Sequence, residues 1–167
     1  MLPISLTTAE RVAALFWPAF EERDGLVLLP GSRAPDRRQF ATRSEAEAFA
    51  SHTHLLDEFR HRIPWGPDPT LPAESGAVAP DWAHPDYSRA CALARTLGGL
   101  WLRKLEADFP GDGFRVYVTT RVDPIVRFHR VYAGERPWAT EGEAAAQIAN
   151  GEVSIFSSAG VGPLAAI

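Results

Sequence analysis

The sequence predicts an α+β domain spanning residues 1–167, with helices packed on one face of a mostly antiparallel sheet of about four strands. Three observations lead there. Residues 114–132, FRVYVTTRVDPIVRFHRVY, form two runs of β-branched and aromatic residues joined by the turn chemistry of Val122-Asp123-Pro124. The pairs Thr7…Glu10, Thr42…Glu45 and Thr140…Glu143 have the spacing at which a hydroxyl and a carboxylate satisfy the free donors of a helix start. A chain of 167 residues that is 46% hydrophobic buries one core without staples.

The hairpin is the centre of the predicted sheet. Side chains alternate along a strand, so Phe114, Val116, Val118 and Thr120 share one face and Arg115, Tyr117, Thr119 and Arg121 the other. In the second arm Val126, Phe128, Arg130 and Tyr132 oppose Ile125, Arg127, His129 and Val131. An odd-numbered loop brings apolar face to apolar face; an even one mixes them, and burial selects the first. The polar face then gathers Arg115, Tyr117, Arg121, Arg127 and His129. Guanidinium forks beside an imidazole suit a carboxylate or phosphate. The competing reading is a solvated sheet face neutralised by ion pairs within the chain.

The other elements follow in order. A helix is expected over 7–23, with Val12, Leu15, Phe16 and Ala19 on one face and a kink or break at Pro18. Leu26-Val27-Leu28-Leu29 reads as a buried strand, and residues 32–41 as a solvated loop. A second helix should start at Thr42 or Ser44 and run to Arg62, facing the core with Phe49, Leu56, Phe59 and Ile63. His52 falls at the edge of that stripe. On the far side His54, Glu58 and His61 have helical spacing that a transition metal can use, given a second element to complete it. A solvent-facing helix side with ion pairs explains the same residues.

Residues 64–85 are too rich in proline for a helix or a central strand and are expected to form an ordered loop pinned by Trp65 and Trp82. It is either a strap over the core or a lid or partner-binding loop, with Trp65, Trp82 and His84 as its candidate contacts. Asp81, His84 and Asp86 pair an acid with an imidazole, but Asp86 after Pro85 more simply starts the next helix. That helix, over 86–108, carries Ala90, Ala94, Leu97, Trp101 and Leu105 inward, with Tyr87 and Cys91 beside them. Gly98-Gly99 costs about 1 kcal/mol per glycine against alanine, so another element is expected to cross closely there. Trp138 anchors a short helix over 140–150, Gly151 ends it, and 153–157 is the last strand.

Composition narrows the function. Net charge is −4, with 17 basic against 21 acidic residues, which argues against nucleic-acid binding. Cys91 is the lone cysteine, so neither an internal disulfide nor a cysteine metal cluster is expected. No apolar run is long enough for a membrane span and the first residues do not read as a signal peptide, so the chain is expected to be soluble and cytoplasmic. No phosphate-binding glycine loop or Gly-x-Ser-x-Gly elbow is present, and no cofactor is expected. Two function classes remain. The first is a small binding protein without catalytic activity, of a bacterial partner-neutralising or immunity type. The second is an enzyme or sensor that binds a small anion at Arg115, Tyr117, Arg121, Arg127 and His129.

Overall fold

β6 (Phe114–Thr119) and β7 (Ile125–Arg130) pair antiparallel in a computed structural model that describes residues 5–59 and 63–162. Val116 opposes Phe128, Val118 opposes Val126, Arg115 opposes His129 and Tyr117 opposes Arg127. The faces therefore segregate as the pattern predicts, across the odd-numbered connection 120–124. β8 (Val153–Ser157) joins β6 on one side and the short β3 (Thr53–His54) joins β7 on the other, giving an antiparallel sheet in the order β3-β7-β6-β8.

The apolar face is closed by α4 (Pro85–Asp108). Ala94, Leu97, Trp101 and Leu105 meet Phe114, Val116, Val118, Val126 and Phe128 in one buried cluster. The predicted close crossing is real: a Cβ on Gly98 would lie 2.7 Å from Val118 Cγ2 and 3.0 Å from the Phe156 ring. Glycine is needed there for space, since the helix sits directly on the sheet. Trp101 has 0% of its surface exposed and lies edge-on to Phe20 and Phe128. Its indole N–H donates to the Leu15 carbonyl at 2.8 Å, which ties α1 (Leu6–Phe16) to the body.

Two predicted helices end early. α1 is capped by Ser5, whose hydroxyl accepts from the Thr8 amide, and it stops at Phe16. Proline disfavours helical geometry in its predecessor, and Trp17 before Pro18 has left it (φ −139°, ψ 65°). The chain then forms a ribbon of β1 (Glu21–Arg23) and β2 (Leu26–Leu28) apart from the main sheet. The helix expected from Thr42 or Ser44 to Arg62 starts on the Thr42–Glu45 capping box but is α2 (Arg43–Ala50), then β3, then the single turn α3 (Leu55–Phe59). Ser51-His52-Thr53-His54 are weak helix formers, and an open sheet edge offers them better partners. Phe49, expected in the core, is 60% exposed and packs at a tilt against Phe40.

That edge explains an unexpected role for α2. β3 pairs with β7 only at Val126 and Ile125. Beyond it, side chains replace a strand. The Ser51 hydroxyl lies 2.9 Å from the Phe128 amide and 3.0 Å from its carbonyl, and Glu47 Oε2 accepts from the Arg130 amide at 2.6 Å. Glu47 Oε1 accepts from the Val27 amide and the Tyr132 hydroxyl, both at 2.6 Å. One carboxylate with 0% exposure thus joins β2, β7 and the segment after β7. Unpaired backbone donors are costly when buried, so this arrangement makes the edge of the sheet stable.

Residues 64–85, expected as a loop, contain two short strands. β4 (Trp65–Pro67) and β5 (Val78–Pro80) form a second antiparallel ribbon, the arm, apart from the main sheet. α5 (Ala145–Ala149) follows Thr140, whose hydroxyl accepts from the Glu143 amide. No helix among the described residues is long and apolar enough to cross a membrane.

Candidate functional site

The second face of the sheet carries the residues in which anion recognition was expected, and most of it is covered. Residues 137–141 lie over it. Arg115, Tyr117 and His129 are 0%, 0% and 1% exposed. Arg115 is ion-paired to Glu141 at 2.6 Å and donates to the Gly162 carbonyl at 2.7 Å. The Tyr117 hydroxyl is 3.0 Å from the Ala139 carbonyl and 3.0 Å from His129 Nε2. Trp138 stands edge-on to the Tyr117 ring at 5.1 Å.

The tautomer of His129 follows from its neighbours. Nδ1 lies 2.7 Å from the Arg130 carbonyl, which only accepts, so Nδ1 holds the hydrogen. Nε2 is then an acceptor, and the Tyr117 hydroxyl proton is shared between it and the Ala139 carbonyl. Burial, together with nearby Arg115, pushes His129 down to about 4, so the ring is neutral at neutral pH. Burial also pushes Tyr117 up to about 12. Arg115, Tyr117 and His129 therefore form an internal polar layer with its own counter-charge in Glu141. The solvated face expected for them is closed because Trp138 and its neighbours need somewhere to bury.

Arg121 is separate from this layer. It is exposed after β6 and borders a cleft of about 680 Å³ with Trp82, Tyr87, Glu143, Gln147 and Asn150. Arg127 is different again. It stays partly exposed at the edge of the covered region, with its guanidinium 4.4 Å from the Trp138 ring centre. Its Nε is buried without a partner, and burial lowers its pKa.

Beside Arg127 lies a group that sequence reasoning did not assemble. His54 pairs with Ile125 across β3 and β7, and the register continued by one pair sets His52 beside Arg127. The two imidazoles are 4.4 Å apart between ring centres. His54 Nδ1 lies 2.5 Å from Asp123 Oδ2 in the turn. His54, read with Glu58 and His61 as one helical face that could hold a metal, sits on a strand facing Asp123. His61 and the Glu58 side chain lie outside the described residues. Among the described residues no three His, Cys, Asp or Glu side chains are placed to hold a metal ion. An alternating His-x-His beside a hydrophobic strand partner is the signal that would have found this edge; the helical reading of residues 42–62 hid it.

The arm holds the other candidate. Trp65, 46% exposed, and Trp82 border a groove of about 510 Å³ with Pro64, Pro67, Pro69 and Pro80. Trp82 packs on the Leu56–Ile63–Tyr87–Cys91 cluster, while its buried indole N–H has no acceptor. Leu71 and Val78 add 46% and 58% exposed apolar surface to the same arm. His84, grouped with these tryptophans as a contact, instead caps α4: its Nδ1 accepts from the Asp86 amide at 3.2 Å, with Pro85 at the first helical position. Asp86, expected as the cap, pairs with Arg89.

Comparison with known protein families, with curated proteins and with solved structures finds no match.

Proposed function

We propose that the protein is a non-catalytic binding protein that docks a partner segment on the arm at residues 64–83. The observation that carries this is the groove between Trp65 and Trp82, with proline rings for walls. Trp65, Leu71 and Val78 expose apolar surface within one short stretch, as interaction surfaces do, and tryptophan is enriched among residues that dominate binding energy. The prolines remove N–H donors from both strands, so an added β-strand finds a poor template there. A polyproline II segment fits better. It arrives already extended, its carbonyls have no internal partners, and aromatic-lined grooves bind such segments.

The small acidic chain and its aromatic arm are compatible with a bacterial partner-neutralising or immunity-type role. The test is fluorescence titration with an oligoproline peptide. Saturable binding is expected, weakened about 30-fold by Trp65→Ala, the loss of a hot-spot side chain. Absence of saturable binding, or binding indifferent to Trp65→Ala, contradicts the proposal.

A further inference from the structure

We propose that the β3 edge of the sheet is a second binding site, in which Arg127, supported by His52 and His54, holds a small oxyanion, a carboxylate or a phosphate. This site uses different residues from the arm and stands independently of it.

Three arginines lie on the central hairpin strands. Arg115 is neutralised by Glu141, and Arg130 by Glu22 and Asp112. Arg127 is stacked on Trp138 and, among the described residues, meets no carboxylate. A guanidinium partly withdrawn from water, its Nε buried without a partner, is unfavourable without a counter-charge, and the Trp138 ring replaces only part of what water gave. A bound anion completes the balance. Trp138 holds the guanidinium plane in place, which preorganises its fork for two oxygens of one ligand.

The neighbouring imidazoles support this reading. Burial, followed by the charges of Arg127 and His54, lowers the pKa of His52, so it stands beside Arg127 as a neutral ring that donates one N–H without adding repulsion. His54 is oriented through Nδ1 by Asp123, which leaves its other ring nitrogen for a ligand. A metal cation is the poorer occupant, because Arg127 would repel it.

The test adds inorganic phosphate and, separately, acetate to the wild-type protein, with chloride at equal ionic strength as control. Ring-proton resonances of His52 and His54 and the indole resonance of Trp138 are followed by NMR. Either anion is expected to shift these signals saturably where chloride does not, and the tighter of the two names the ligand class. Arg127→Gln is expected to raise the midpoint at least about tenfold with far-UV circular dichroism unchanged. Should that variant fail to fold, the wild-type shift map decides, because the largest shifts must centre on residues 52, 54, 127 and 138. Shifts no larger than those from chloride, shifts centred elsewhere, or an unchanged midpoint in a folded Arg127→Gln protein would overturn the site.

Discussion

Replacing Glu47 with alanine is expected to cost about 3–5 kcal/mol of folding stability, measured as a lower urea midpoint with an unchanged slope. The carboxylate accepts from the Val27 amide, the Arg130 amide and the Tyr132 hydroxyl; alanine leaves both amides buried without an acceptor, while the hydroxyl keeps only the Gly25 carbonyl at 3.0 Å. Glu47→Gln keeps the shape but turns an amide nitrogen toward one of the donors. Its expected cost is smaller, about 1–3 kcal/mol.

The two variants also separate charge from shape. Burial pushes the Glu47 carboxyl up to about 7, against the opposing pull of its donors. An unfolded chain releases this proton near the ordinary 4.5, whereas the folded protein keeps it until about 7. The contribution of the raised pKa is therefore complete below 4.5 and is lost as pH rises through 7. That loss is expected in wild type and absent in Glu47→Gln.

Arg115→Met is expected to cost about 3 kcal/mol, the lower end of the range for breaking a buried ion pair. The lower end applies because Glu141, the partner left behind, keeps 30% of its side chain exposed. The Gly162 carbonyl also loses its donor. Arg115→Met combined with Glu141→Met removes both charges, and replacing a whole pair by apolar groups is often nearly neutral. The double variant is expected to recover most of the loss, a coupling that a double-mutant cycle measures directly. Additive losses would place Arg115 outside the covered layer.

The parts of the fold that were legible are those set by period and volume. Alternation in residues 114–132 fixed the register, because slipping by one residue would expose Val116 and Phe128. The apolar stripe of α4 and the need for a close crossing at Gly98 were read from spacing alone. What was missed depends on partners distant in the chain. Glu47 stands three residues after Ser44, the spacing of a capping pair for the alternative helix start, and nothing local shows that β7 lacks a strand partner beside Phe128 and Arg130. His52 and His54 read as helical because the open edge that recruits them lies more than 70 residues away, with Ser51 bonded to Phe128. The polar face of the hairpin was recognised, but its cover was not, because Trp138 and Glu141 belong to a stretch without periodicity.

That cover moves the functional reading away from the middle of the sheet and out to the arm and the β3 edge. The ring protons of His129, assigned by their loss in His129→Gln, test it most directly in a pH titration by NMR. Enclosed beneath residues 137–141 and held down to about 4, His129 is expected to show no titration between about pH 8 and about pH 5. A midpoint near 6.5, the value of an imidazole open to water, would contradict the covered layer and return Arg115, Tyr117 and His129 to the surface.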